Sequence, residues 1–440
     1  MRTKRKSLIE ERYQGIKKRQ LNFMRMVQER VSKMKTSLTP FLPNDLMFKI
    51  FLLLPIKSLL RFRCVCKSWN KLIHCSEFVE AYNNEAQTTA IFLRAIGRDR
   101  FNTFHLESQV NQLEAFSIFP CTPAEIMRSN VINFLEIEDG KSKVIDLNIS
   151  CLGKIVATCN GLILISSMFE RKRTASQSRS GEREMATFDS HERPGRLIIM
   201  NPMTRKFFGF PLGTVPSDPS HSESYGLVFS HSKGVFKVVH LFKDELGHIA
   251  CEVWSMESRY WKAIDGPSEN VLRWFTHAPI STNEALHWLP RRYHHQHIDY
   301  IVSMNAEDER FFVTDLPKSV SVHDKLVEMG GFLTFVSSLD MDHIEIWVLK
   351  GLEGTEWIKQ HTIHIDAVVG YVENKEYSVP VLAVNAKEMI FRRRKKFYSY
   401  DFELEEVTEI EMDGGSIAVD EFLIPHTNNL ATWEPLEPMQ

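Results

Sequence analysis

The chain has 440 residues, of which 43% are hydrophobic and 25% charged, as is typical of a globular protein of two or three domains. Its net charge of −2 combines a basic stretch, residues 1–35 with a net charge of +9, with a remainder of −11. An acidic remainder argues against nucleic acid as the main partner. No run of 18 apolar residues occurs, which argues against a membrane span, and the first 30 residues are too charged for a signal peptide.

The seven cysteines are odd in number and scattered, which favours reduced thiols in the cytosol or nucleus. Residues 1–37 form a basic arm, either an amphipathic helix or a disordered segment, with apolar positions such as Ile9, Tyr13 and Ile16 on one stripe. The arm also contains Lys17-Lys18-Arg19, so a nuclear-import signal is an alternative interpretation.

Residues 38–87 are predicted to form a small helical domain. Pro43 sits where a helix can start, and Leu46 and Ile50 follow at helical spacing. Pro55 ends that helix, and further short helices carry the apolar side chains of Leu59, Leu60, Phe62, Trp69, Leu72, Ile73, Phe78, Val79 and Tyr82. Helices this short cannot enclose their apolar surface, which predicts a docking site for another protein.

This stretch resembles a plant F-box. The matching residues are Leu42, Pro43, Asp45, Leu46, Ile50, Leu54, Pro55, Lys57, Ser58, Leu59, Arg61, Cys64, Val65, Cys66, Lys67 and Trp69. The resemblance implies docking on a Skp-type adaptor and, through it, on a cullin–RING ubiquitin ligase. It assigns adaptor binding to an apolar set: Leu42, Pro43, Leu46, Ile50, Pro55 and Leu59. Spacing alone does not separate those that face a partner from those that face the local core, and Trp69 is expected to pack against the helices.

Residues 88–427 change from a helical period to the period of two that is typical of strands. Ten strands are predicted: 90–93, 131–137, 162–166, 197–200, 235–241, 252–256, 301–304, 333–336, 344–349 and 397–400. Long stretches with helical periodicity are scarce, which excludes a βαβ architecture of alternating strands and helices. The fold class is therefore α + β multidomain, a small helical unit followed by an all-β domain.

An internal repeat refines that fold. A turn residue is followed six positions later by a bulky or β-branched residue in Glu138/Val144, Asn201/Phe207, Ser255/Trp261, Asn305/Phe311, Gly351/Trp357 and Asp401/Val407. Successive starts are 46 to 63 residues apart. A period near fifty in an all-β chain predicts the blades of a β-propeller, because one four-stranded blade cannot bury both faces. An open β-sandwich is the alternative.

The same region resembles the plant F-box-associated domain, which is kelch-related and recruits the substrate protein. The motifs are Cys159-Asn160-Gly161-Leu162, Asn201-Pro202-x-Thr204, Tyr225-Gly226, Phe236-Lys237-Val238-Val239, Val253-Trp254-Ser255, Ala285-Leu286-His287-Trp288 and Ile346-Trp347-Val348. Two departures are a charged insertion at 170–195 and Glu284, where the family has a glycine before Ala-Leu-His-Trp.

The insertion 170–195 is predicted to be a disordered surface loop, and its serines among arginines suggest phosphorylation that tunes partner binding. Residues 428–440 are predicted to be a disordered tail. His294-His295-Gln296-His297 and His361-x-x-His364 lack the converging ligand frame of a zinc site. Neither a catalytic set nor a cofactor motif is found, so no catalytic residue, cofactor or metal is predicted.

Together these features predict a non-catalytic substrate receptor of a ubiquitin ligase, in the nucleus or cytoplasm, with an unknown protein as its target. Two alternatives remain open. One is a stand-alone β-propeller binding protein, lectin or enzyme, and the other is an F-box protein that acts outside degradation.

Overall fold

A computed structural model describes residues 43–84, 88–95, 130–138, 141–151, 153–166, 196–214, 223–268, 278–282, 284–290, 298–321, 324–338, 343–350, 356–364, 379–384, 387–393, 396–413, 424–434 and 436. The predicted arm, the insertion 170–195 and residues 437–440 lie outside these ranges. So do Leu42 and the histidines at 294, 295 and 297. The domain boundaries given above therefore stay predictions.

Four short helices open the described chain: α1 (Asn44–Leu52), α2 (Ile56–Phe62), α3 (Lys67–His74) and α4 (Ser76–Asn84). Pro43 and Pro55 stand at the N-caps of α1 and α2, where the missing N–H of proline costs nothing. The chain divides into two units at this point, Met1–Leu54 and Pro55–Gln440, so α1 belongs to the first and α2 to α4 belong with the strands. Among the described residues, no helix is both long enough and apolar enough to cross a membrane.

The described strands form five sheets, of which four contain four consecutive antiparallel strands each. The first blade contains β4 (Lys154–Cys159), β5 (Leu162–Ser166), β6 (Arg196–Asn201) and β7 (Lys206–Pro211). The second contains β8 (Glu223–Ser230), β9 (Val235–Lys243), β10 (Ile249–Ser255) and β11 (Trp261–Ile264). The third contains β12 (Ile280–Thr282), β13 (Ala285–Trp288), β14 (Tyr300–Asn305) and β15 (Phe311–Asp315). The fourth contains β16 (Lys325–Met329), β17 (Phe332–Ser338), β18 (His343–Lys350) and β19 (Glu356–His364).

The fifth sheet has eight strands in the order β20-β21-β22-β23-β3-β2-β1-β24. One half contains β20 (Val379–Val384), β21 (Glu388–Arg393), β22 (Lys396–Asp401) and β23 (Glu406–Asp413). The other contains β1 (Thr88–Ala95), β2 (Asn130–Glu138), β3 (Lys141–Cys151) and β24 (Ile424–Thr427). A short parallel pairing of β23 with β3 joins the two halves.

The sheets form a closed, propeller-like ring. The first strands contact one another in succession, β4 with β8, β8 with β12, β12 with β16 and β16 with β20, and β24 contacts both β20 and β4. Apolar cores fill the spaces between neighbouring sheets, as where Leu164 of the first blade and Trp254 of the second share one cluster. The propeller-like prediction is therefore confirmed. The alternative of an open sandwich is wrong, because the sheets pack around a ring rather than as two facing layers.

The predicted repeat corresponds to the turn between the third and fourth strands of a sheet. In four sheets the third strand ends in a residue whose side-chain oxygen accepts a hydrogen bond from the backbone N–H two positions later: Asn201, Ser255, Asn305 and Asp401. Four positions after it the backbone is left-handed, with φ between 55° and 62°, at Arg205, Arg259, Glu309 and Glu405. The fourth strand then begins, which explains the constant offset of six.

Glu284 replaces the expected glycine without loss of the turn. Its φ of 59° is the left-handed conformation that a glycine would adopt at little cost. One contact within its own blade and one with the second blade hold it there. Its carbonyl accepts a hydrogen bond from Ala306 N at 2.8 Å, and its carboxylate lies 3.0 Å from His231 Nδ1.

Residues 428–434 differ from the predicted disordered tail. Asn429, Leu430 and Ala431 are buried, and Ala431 lies in the core between the first and second blades. Pro435 and Pro438 in the sequence suggest an unstructured segment from Asn428, but residues 429–431 are buried against other parts of the chain.

Candidate functional site

Helix α1 is built to present one apolar side. Pro43 is the N-cap residue at which the chain enters the helix. Its carbonyl accepts hydrogen bonds from Leu46 N at 3.0 Å and Met47 N at 3.1 Å. Asp45 in the first turn and Lys49 in the last turn have the charges that the helix dipole favours. Phe51 is the buried residue of this helix.

Three large apolar side chains of α1 remain exposed. Leu46 is 47% exposed, Ile50 44% and Leu53, the residue after the helix, 85%. They stand at positions i, i+4 and i+7, which lie on one side of a helix. We call Leu46, Ile50 and Leu53 the apolar row. An aligned exposed row of this kind is characteristic of a surface that another protein covers.

The structure separates the six residues predicted to bind the adaptor. Pro43, Leu46, Ile50 and Pro55 are exposed, and Leu42 lies outside the described residues. Leu59 is fully buried, which argues against a place for it on a docking surface, and adaptor binding by the other residues stays a prediction. Leu59 stands three positions after the buried Ile56 in α2, and this spacing places both on the inward side of that helix.

Two exposed apolar residues were missing from the predicted set. Leu53 continues the apolar row by one turn, and this period was visible in the sequence. Val65, 50% exposed, lies between α2 and α3, where no periodicity marks it. Trp69 packs against the helices as expected, half-buried and with its ring 5.3 Å from that of Phe62.

One cluster of buried charges in the propeller links neighbouring blades. Lys237, only 3% exposed in its side chain, donates to Glu309 Oε1 at 2.8 Å and to the carbonyl of Ala306 at 2.5 Å. Lys262 contacts the second oxygen of Glu309 at 3.2 Å. Burial raises the pKa of Glu309, but its two lysine partners outweigh this and lower it overall. The left-handed Glu309 therefore holds the third blade to the second.

A second buried cluster surrounds His240. Its Nδ1 lies 2.8 Å from Glu252 Oε1 and its Nε2 lies 3.2 Å from Glu223 Oε2, while Tyr225 stacks on the ring with a centroid distance of 4.1 Å. Burial lowers the pKa of His240, but the hydrogen bonds and charges of the two glutamates outweigh it and raise the pKa overall. Thr214 donates its backbone N–H and its hydroxyl to Glu252, so the cluster fixes the start of the connection between the first two blades.

The buried thiols are poor nucleophiles. Burial raises the pKa of Cys159 to about 11 and also raises that of Cys251. Among the cysteines whose side chains the structure describes, Cys64, Cys66, Cys75, Cys159 and Cys251 are free thiols. Within the described residues, no three His, Cys, Asp or Glu side chains are grouped so that they could hold a metal ion.

Comparison with known proteins agrees with this two-part organisation. Residues 40–80 match the F-box domain, and residues 128–430 match the F-box associated beta propeller domain. The chain is similar to F-box protein At5g49610 of Arabidopsis thaliana, with 22% identity over 82% of this chain and 90% of the relative. It is also similar to F-box protein At1g30790 of the same plant, with 23% identity over 88% and 93%. Among solved structures, TolB from Acinetobacter baumannii covers 78% of this chain and 67% of its own, with 8% identity and a TM-score of 0.39.

Proposed function

The chain belongs to the family of plant F-box proteins with an F-box associated β-propeller domain, and on this premise we propose that it is the substrate-recognition subunit of a Skp–cullin–F-box ubiquitin ligase. The observation that carries the proposal is the apolar row. It lies within the residues that match the F-box, and it leaves apolar surface for a second protein to cover.

In this proposal the Skp-type adaptor covers Leu46, Ile50 and Leu53, with Pro43 at the edge of the contact. Burying these side chains supplies hydrophobic free energy, and the exposed fraction of each sets its contribution. The adaptor in turn connects the chain to a cullin–RING ligase.

The propeller holds the target protein. The chain itself forms no covalent bond to the target, and it accelerates ubiquitin transfer by holding the target near the charged ubiquitin carrier. Restricting two reactants to one assembly supplies several kcal/mol toward the barrier, so a receptor without catalytic residues is sufficient. The proposed location is the nucleus or cytoplasm, where such ligases work.

Affinity purification of the full-length chain from plant cells, with the proteasome inhibited, tests the proposal. The wild type is expected to recover a Skp-type adaptor and a cullin. Leu46→Asp combined with Ile50→Asp is expected to lose both while retaining the target, because a carboxylate in an apolar contact must be desolvated.

Leu404→Asp is the matched control, since Leu404 is an exposed leucine on a propeller turn, and it should retain the adaptor. Failure of the wild type to recover an adaptor would contradict the proposal. A target whose abundance stays constant under proteasome inhibition would instead place the protein outside degradation.

A further inference from the structure

The C-terminal segment 428–434 makes specific contacts with two parts of the chain that lie far from it in sequence. One is the end of α4, and the other is the first blade. We propose that this segment is a clamp that fixes α4 to the first blade, with Asn83, Asn201 and Asn429 as its positioning residues. The contact of the segment with the helix, its contact with the blade and the shape of its binding place support the proposal.

The first step is the contact with the helix. Asn83, in the last turn of α4, accepts a hydrogen bond at its Oδ1 from Leu430 N at 2.9 Å. Leu430 itself is buried. Lys206 and Glu434 form an ion pair between the first blade and the segment.

The second step is the contact with the blade. The Nδ2 of Asn201 donates to two carbonyls of the segment, that of Asn429 at 3.2 Å and that of Ala431 at 2.9 Å. At the same time its Oδ1 accepts from Met203 N in the turn of the first blade. Asn201 is fully buried and uses both ends of its amide, so it ties the turn to the segment.

The third step is the shape of the contact. Gly161 stands in a left-handed turn, and a Cβ there would overlap the Asn429 side chain. Asn429 stabilises its own turn by accepting from Ala431 N at 3.1 Å. Ala431 and Trp433 then pack in the core between the first two blades. The segment is thus shaped to fit one place, and the glycine of the Cys-Asn-Gly-Leu motif makes room for it.

The clamp stands independently of any adaptor, while its consequence rests on the proposed function. The F-box match ends at residue 80, inside α4, so the clamp fixes the end of this domain to the platform that would hold the target. In the proposed receptor, the clamp would limit movement of α4 relative to the propeller that holds the target.

Hydrogen exchange of the full-length protein, followed by mass spectrometry, tests the clamp. The readout is exchange in α4 and in residues 428–434. Asn83→Ala removes one hydrogen bond and should speed exchange in both segments about fivefold, because a nine-residue helix is marginal without its tertiary contacts. Asn84→Ala, at the exposed neighbouring position, is the control and should leave exchange unchanged.

A second variant tests the blade side. Asn201→Asp retains the oxygen that caps the turn but places a carboxylate against two carbonyls, so it should speed exchange in α4 tenfold or more. Asn305→Asp makes the same change at the equivalent turn of the third blade, where the described contacts of the side chain are the turn N–H groups of Glu307 and Asp308. This variant should leave hydrogen exchange in α4 unchanged.

Unchanged exchange in α4 for both Asn83→Ala and Asn201→Asp would overturn the clamp. If Asn201→Asp unfolds the whole domain, the exchange result for Asn83→Ala alone decides whether the clamp exists.

Adaptor recovery is measured in parallel and should be normal in Asn83→Ala. Loss of adaptor recovery in the wild type would reject the proposed ligase role and leave the exchange result standing.

Discussion

Replacing Leu53 with alanine is the sharpest single test of the apolar row. Burying a whole leucine side chain stabilises a contact by about 1.5–3 kcal/mol. With 85% of Leu53 exposed, a partner that covers it gains about 1.3–2.5 kcal/mol. The expected loss of affinity is about 8- to 60-fold, because 1.4 kcal/mol corresponds to a factor of ten in Kd. Leu46 and Ile50, about half as exposed, should each contribute about half as much free energy.

The assay is titration calorimetry of the full-length variant with a purified plant Skp-type adaptor. Leu404→Ala is the control, because Leu404 is 68% exposed on the turn after Asp401 and should bind as the wild type does. Neither variant should change the free energy of unfolding by more than about 0.5 kcal/mol, since both positions are on the surface. A Kd for Leu53→Ala within twofold of the wild type would refute the reasoning.

Three further predictions concern stability. Leu59→Ala should lower the free energy of unfolding by about 2–5 kcal/mol in urea titrations, because it empties a fully buried site, and a loss below 1 kcal/mol would contradict that burial. Glu309→Ala should lower the free energy of unfolding by about 3 kcal/mol in the same titrations, because it leaves the buried charge of Lys237 without its carboxylate partner. The double variant Glu309→Ala with Lys237→Met should recover most of that loss. The stabilisation by His240, whose pKa is raised on folding, is complete below about pH 6.5 and is lost as pH rises through the folded pKa. The Tm advantage of the wild type over His240→Gln should therefore shrink from pH 6 to pH 9, and a constant difference would count against the charged pairing.

Local and periodic features of the fold could be predicted from the sequence. Pro43 and Pro55 set the starts of α1 and α2 because proline limits the backbone in the same way in any context. The offset of six after Asn201 and Asn305 reflects a turn whose hydrogen bonds lie within a few residues. A repeated local cause leaves a repeated pattern, and this is why the propeller could be predicted.

Features that depend on distant parts of the chain could not be predicted. Leu59 and Leu53 are both leucines at helical spacing, yet Leu59 is fully buried and Leu53 is 85% exposed. The clamp includes Asn201 and Asn429, which are 228 residues apart. No sequence pattern near Asn429 predicts that its carbonyl accepts a hydrogen bond from the buried amide of Asn201. Likewise, the partner of Lys237 is a glutamate on the next blade.

The pairing of β1 with β24 has a consequence for how the protein is made. Thr88 pairs with Thr427, so the last strand must leave the ribosome before the sheet that contains the first can be completed. At about 5–20 residues per second, the intervening chain takes on the order of tens of seconds to synthesise. Throughout that interval β1 and β4 lack their final neighbour, and a nascent chain in this state is the form that chaperones would meet. A nonsense mutation between residues 414 and 424 would leave the same unclosed intermediate as the end product.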